Sequence, residues 1–187
     1  RENSKDNTRA YDIMANLYLQ YSPIKELILK TTFSPMYSKT ERGTFYNGDT
    51  QYRSGKSNMA EKYNDGVFSY TWDTQANYIK TFGDHSINVL ALFSVYDQRK
   101  EGDYMGDVDM PFDVDWHNLG SGTVQNQSSY YERMTMLSYV ARLNYSYKGK
   151  YMATVSSRWD GSSKFQKENR WGMFPSAALA WRISEEN

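Results

Sequence analysis

Fourteen residues, Val67 to Lys80, alternate between two kinds of side chain. Phe68, Tyr70, Trp72, Thr74, Ala76 and Tyr78 interleave with Ser69, Thr71, Asp73, Gln75 and Asn77. Successive side chains of a β-strand point to opposite faces, so this segment forms a strand with one greasy face and one wet face. A helical period would scatter both sets around the axis. The same period of two recurs along the chain. Tyr11 to Tyr21 sets Ile13, Ala15, Leu17 and Leu19 against Asp12, Asn16 and Gln20, and a turn at Ser22-Pro23 follows. Glu26 to Tyr37 aligns Leu27, Leu29, Thr31 and Phe33, with Pro35 expected to mark the frayed end of the strand. Ser86 to Asp97 aligns Ile87, Val89, Ala91, Phe93 and Val95. Met136 to Tyr147, Tyr151 to Asp160 and Pro175 to Ile183 complete seven expected strands.

The connections alternate in length. The expected short turns are Ser22-Pro23, Phe82 to His85 and Lys148 to Lys150. The expected long polar stretches run from Ser38 to Gly66 and from Asp97 to Ser129, with a medium loop from Asp160 to Arg170. In an antiparallel meander every other connection lies at the same end. Short turns at one end and long loops at the other are the asymmetry of a transmembrane β-barrel, whose spanning strands need about 9–11 residues. Composition supports this. Aromatics make up 16% of the chain, with 17 Tyr, 8 Phe and 5 Trp. Tyr and Trp join an apolar body to a polar tip and suit the girdles where lipid meets water. Trp159 and Trp171 flank the 160–170 loop, and Trp181 lies one strand length away.

A soluble antiparallel sandwich alternates in the same way, but nothing in it requires the long loops to collect at one end. No segment approaches the roughly 18 consecutive apolar residues of a membrane helix; a typical apolar run is Val89 to Phe93. The start, RENSKDNTR, lacks the apolar region of a signal peptide, so either a leader was removed or the chain begins inside a longer one. Lys plus Arg equals Asp plus Glu, 22 each, which removes the electrostatic case for nucleic acid. With no cysteine, thiol catalysis and Cys-based zinc sites are excluded. Seven strands leave two bare edges, which lipid does not tolerate, and bacterial barrels have an even number of strands. The chain is therefore expected to be a piece of a larger barrel.

The stretch from Tyr145 to Glu186, YSYKGKYMATVSSRWDGSSKFQKENRWGMFPSAALAWRISEE, resembles the SusC/RagA-like branch of TonB-dependent outer-membrane transporters. The shared run comprises a tyrosine-rich strand, a K-G-K-Y turn, R-x-DGSS-x-F, N-R-WG-x-FPS and A-W-R-I-S-EE. Trp159 stands where basic residues are common in that run, and Met173 where an aromatic often occurs. The resemblance implies an all-β barrel of about 22 strands around a plug, with residues 1–187 as part of its wall. It implies import of oligosaccharides or oligopeptides across the outer membrane of a Gram-negative bacterium. It also implies a SusD-like surface lipoprotein as lid and coupling to TonB. The plug domain and TonB box have no counterpart in these residues. The rival reading is a secreted carbohydrate-binding β-sandwich.

No catalytic set is visible. The two histidines, His85 and His117, read as surface residues, and an outer-membrane barrel enzyme would need a positioned nucleophile and base. Asp103, Asp107, Asp109, Asp113 and Asp115 crowd one polar stretch, but their spacing does not match a calcium loop and reads as solvated acid. Gly55 to Ser57 lacks the rest of a phosphate loop. No cofactor or metal is expected. Tyr46, Tyr52, Tyr104, Phe112 and Trp116 are candidate contacts for substrate or lid, because an aromatic face stacks on a sugar ring; the competing reading is that they anchor loops. Asp160, Gly161, Ser162 and Ser163 form either a turn, which Asp-Gly initiates and serine hydroxyls brace, or a contact motif at the barrel mouth.

Overall fold

A computed structural model describes residues 3–111 and 114–185. Among the described residues, eight strands form one antiparallel sheet. They are β1 (Ser4–Met14), β2 (Leu17–Ile24), β3 (Leu27–Tyr46), β4 (Met59–Phe82), β5 (His85–Val108), β6 (Thr123–Tyr147), β7 (Tyr151–Ser162) and β8 (Trp171–Trp181). The spatial order is β1-β3-β4-β5-β6-β7-β8, and β2 also pairs with β3. The meander therefore has the expected seven positions, one of them occupied by two strands in tandem.

Pro35 explains the division. Met14 pairs with Met36 and Leu17 with Phe33, so Ala15 stands opposite Pro35. The Ala15 amide donates to the Pro35 carbonyl at 3.1 Å. The return bond cannot form, because proline has no N–H. Asn16 Nδ2 spans the gap to Ser34 Oγ at 2.7 Å. The proline thus interrupts a ladder without ending a strand, and β3 continues to Tyr46.

The polar stretches expected as loops are mostly strand. β4 and β5 have 24 residues each and β6 has 25, more than twice what a membrane span requires. The larger connections shrink to 47–58, 109–122 and 163–170. They still alternate with tight turns at 25–26, 83–84 and 148–150; β2 runs through Ser22 and Pro23. In the last of these turns Lys148 and Gly149 both have positive φ, 53° and 65°, and the Lys150 amide donates to the Tyr147 carbonyl at 2.9 Å. This is a type I′ turn, whose twist matches that of the strands it joins.

The residues fall into two compact units. The first comprises Arg1–Met14, Met36–Ser69 and Gln98–Arg133; the second comprises Ala15–Pro35, Tyr70–Asp97 and Met134–Asn187. Unit 2 holds the period-two face that the sequence foresees. Tyr139, Leu143 and Tyr147 pair with Trp159, Val155 and Tyr151, which pair in turn with Met173, Ala177 and Trp181. Phe33 meets Tyr70 and Phe93 meets Tyr139, with ring centroids 5.6 and 5.2 Å apart. A shallow apolar hollow on this face is lined by residues including Leu19, Leu29, Ala76, Ala91 and Trp159. No described residue covers this face: Leu19 is 70% exposed and Leu179 87%. Unit 1 is built differently. The buried apolar residues among those described, Phe45, Met59, Ala60 and Met110, all belong to it.

Candidate functional site

Unit 1 carries the aromatic candidates, and it carries them on two structures. The first is a pair of interlocked loops. Loop 47–58 is wound by backbone bonds from Arg53 to Thr50, from Gly55 to Gly48 and from Lys56 to Arg53. The Arg53 side chain, buried, donates through Nε to the Ser57 carbonyl at 2.9 Å. Asn58 then holds loop 109–122. Its Nδ2 donates to the Met110 carbonyl at 2.9 Å, and its own carbonyl accepts from the Met110 amide at 3.3 Å. Met110 thereby seats beside Phe45 and Ala60, with Val114, Trp116 and Leu119 packed against them. The Trp116 indole lies directly over Gly43, where a β-carbon would collide with the ring. Lys5 Nζ to Asp115 at 2.8 Å adds a further tie.

Tyr46 closes β3, and its ring meets that of Tyr52 at 4.9 Å. Tyr52 is 67% exposed and presents an open face. Trp116 is part of the loop packing described above. Phe112 lies outside the described residues.

The second structure is on the strands. Tyr104 lies within β5, not in a loop as the sequence suggests. Its ring meets Tyr63 at 4.6 Å, and its hydroxyl donates to Glu61 Oε1 at 2.8 Å. Glu61 Oε2 accepts from Thr44 Oγ1 at 3.0 Å. Burial, followed by the bond to Glu61, pushes the Tyr104 phenol well above its ordinary range, so it remains a neutral donor. Arg42 extends the row. It forms a two-pronged pair with Asp6, at 3.0 and 2.6 Å, and lies 5.9 Å from the Tyr63 ring centre. The aromatic candidates are therefore not gathered in one place: Tyr46 and Tyr52 form one site, Trp116 a second and Tyr104 a third.

In unit 2, the 160–163 motif ends β7. The Asp160 carboxylate accepts from Arg158 Nε at 2.7 Å. Gly161 lies under the Trp171 indole, and a β-carbon there would come within 2.9 Å of the ring. Ser162 donates its amide to the Arg170 carbonyl at 3.1 Å, closing loop 163–170. Ser163 exchanges bonds with Thr135: its amide donates to the Thr135 carbonyl at 2.9 Å, and its hydroxyl accepts from the Thr135 amide at 2.8 Å. Asp160, Gly161 and Ser162 are thus strand residues, paired with Ser138, Leu137 and Met136, and the turn begins only at Ser163, so Asp160-Gly161 does not initiate it.

The remaining chemistry is sparse. Among the described residues, no group of three metal-ligating side chains comes together. Asp107 is buried, in contrast to the solvated loop expected of it. Half-buried His85 bonds to Tyr145 at 2.7 Å and stacks on Phe82, while His117 is exposed beside Trp116. One grouping is not apparent from motifs. Asn7, Arg9, Glu41 and Lys62 line a pocket of about 350 Å³ with Trp116 and His117. The sequence signal for it lies in β1, where one face changes from Lys5, Asn7 and Arg9 to Tyr11 and Ile13.

No family model matches the chain. Its fold is shared by solved structures of transporters. The RagAB peptide transporter aligns over 99% of the chain and 21% of its own, with TM-score 0.92 and 18% identity. The RagAB peptide importer in a closed-closed state gives 0.90 and 17%, over 100% of the chain and 21% of its own. Among curated proteins, TonB-dependent receptor SusC of Bacteroides thetaiotaomicron is 35% identical over 159 residues, covering 84% of the chain. The chain belongs to the SusC/RagA-like TonB-dependent receptors. TonB-dependent receptor P3 of Formosa agariphila is 32% identical over 198 residues, 98% of the chain. The chain spans 19% of the P3 relative and 14% of SusC. The uncovered apolar face of unit 2 and the single-sheet architecture are what such a wall requires.

Proposed function

We propose that the chain serves an outer-membrane importer of large nutrients, either oligosaccharides or oligopeptides. It works with a SusD-like surface lipoprotein and is driven by TonB through a plug that other parts of the full-length protein supply. The observation that carries this reading is the pairing of an apolar face with no protein cover in unit 2 and a built, aromatic-bearing loop pair in unit 1. The first suits a wall in lipid, and the second suits a rim that meets cargo or lid. Tyr46, Tyr52 and Tyr104, with Phe112 and Trp116, are the proposed contacts; Tyr52 is the most open of those described. Asp160 to Ser163 end β7 and fix the neighbouring loop. The wall itself contributes passage and binding surface, not catalysis. The carbohydrate-binding sandwich loses support because a sandwich hides its apolar face between two sheets, and here one sheet leaves it open.

The test is uptake by cells that rely on the full-length protein. Labelled oligosaccharides and oligopeptides should enter only when both TonB and the partner lipoprotein are present, and one class should be preferred. Uptake independent of TonB contradicts the reading.

A further inference from the structure

The pocket lined by Asn7, Arg9, Glu41, Lys62, Trp116 and His117 lies wholly within unit 1 and has a charge imbalance. Arg9 stands directly opposite Glu41 in the β1–β3 ladder. Glu41 already pairs with Lys39, and the carboxylate is held below its ordinary range by that lysine first, with Lys62 and Arg9 adding to the effect. Three cations thus share one carboxylate. Neither Arg9 nor Lys62 forms an ion pair among the described residues, and the nearby Lys5–Asp115 pair is balanced. Arg42, also in the lining, is balanced by Asp6, so the excess is about two positive charges beside the Trp116 indole that lies over Gly43.

We propose that this pocket binds an anionic saccharide, a sugar carrying a phosphate or a carboxylate. Lys62 and Arg9 supply charge-assisted hydrogen bonds to the anion, and guanidinium geometry suits two-pronged recognition of either group. Trp116 supplies an apolar wall for the sugar ring, and Asn7 and Glu41 offer partners for hydroxyl groups. The volume of about 350 Å³ accommodates one or two sugar units.

The setting indicates where such a sugar comes from. Arg9 shares its strand face with Tyr11 and Ile13, which are 50% and 65% exposed, and with Tyr37 opposite Ile13. Four residues of strand, about 13 Å at roughly 3.3 Å each, separate Ile13 from Arg9. The pocket therefore opens on the same side of the wall as an exposed aromatic row, about 13 Å along the strand from it. A glycolipid of the surrounding membrane reaches that position directly, and a soluble anionic glycan reaches it from outside. This inference does not depend on the imported cargo.

The experiment uses the full-length protein in detergent and the double variant Arg9→Gln/Lys62→Gln. Calorimetric titration compares glucose 6-phosphate, glucose and inorganic phosphate; bound lipopolysaccharide is measured after purification. Native migration before heating confirms that each variant is folded. The expected result is binding of glucose 6-phosphate at least tenfold tighter than glucose or phosphate alone, weakened tenfold or more in the double variant. Trp116→Leu, which keeps the apolar plug, should weaken the sugar phosphate and leave inorganic phosphate unchanged. Lipopolysaccharide retained by the native protein and lost from the double variant assigns the site to a glycolipid; binding of the soluble sugar phosphate without such retention assigns it to a free glycan. Equal affinity for glucose and glucose 6-phosphate, or full retention of both ligands by the double variant, overturns the proposal.

Discussion

Unit 1 and unit 2 share β3 to β6 and bury their apolar residues in opposite ways. In unit 1 Phe45 is 1% exposed, Ala60 0% and Met110 3%, and the loops fold down to cover them. In unit 2 the large apolar residues lie open: Leu17 at 64%, Leu19 at 70%, Val155 at 58% and Leu179 at 87%. Burying apolar surface stabilises a fold only where the alternative is water. Unit 1 follows that rule with a small core of its own. Unit 2 does not follow it, and an open apolar face that large marks an interaction surface, here with lipid.

The largest expected effect contrasts two truncations. Phe45→Ala should destabilise its region by about 3–5 kcal/mol, as loss of a buried ring does. Leu179→Ala should cost less than about 1 kcal/mol, because lipid tails fill the space a leucine leaves. Guanidinium unfolding of the full-length protein in detergent, followed by limited proteolysis at the 109–122 loop, measures both. Equal costs would mean that Leu179 sits in a packed protein core.

Next comes charge placed on either face of β4. Ala76→Arg should cost about 2–4 kcal/mol near the bilayer midplane, and Gln75→Arg much less on the wet side. Folding into lipid vesicles reads the difference. Similar costs would dissolve the face assignment. A smaller effect belongs to the end of β7 at 160–163. Gly161→Ala pushes on the Trp171 ring and should lose about 1 kcal/mol, near the lower end of overpacking costs. Ser162→Ala, which leaves backbone closure of the loop intact, should lose less.

The smallest effect is electrostatic. Because the folded phenol of Tyr104 titrates above its unfolded value, its bond to Glu61 contributes fully below about pH 10 and fades as pH rises further. Tyr104→Phe should therefore flatten the alkaline end of the stability profile of unit 1 and remove one late-titrating tyrosine from the ultraviolet titration. An unchanged titration would place that phenol in water.

What could be read in advance follows from the same contrast. The faces of unit 2 were legible residue by residue, because lipid on one side and water on the other write alternation into Trp72, Ala91, Leu143 and Val155 and their polar neighbours. The continuation of β3 to β6 into unit 1 was not legible. There both faces of Lys39 to Arg42 and of Gln98 to Asp103 carry polar side chains, so the period vanishes while the backbone ladder continues. Pro35 misled for a related reason: proline removes one donor, and a long strand with partners on both sides absorbs that loss. Tyr104 was misplaced in a loop by the same missing period. The Arg9–Lys62 pocket joins residues 53 positions apart through strand pairing, which no local motif records.

The most direct test of the central contrast is spin-label accessibility in the full-length protein reconstituted in bilayers. Single cysteines at Leu19, Ala91 and Leu143 report the apolar face of unit 2, Asn144 and Gln75 its other face, and Lys62 and Tyr52 unit 1. The account requires the first three to be open to oxygen and shielded from a water-soluble nickel relaxant, and the other four to be open to nickel. If Leu143 and Asn144 respond alike, or if Lys62 is as shielded from nickel as Ala91, the division into a lipid-facing unit and a water-facing unit is wrong.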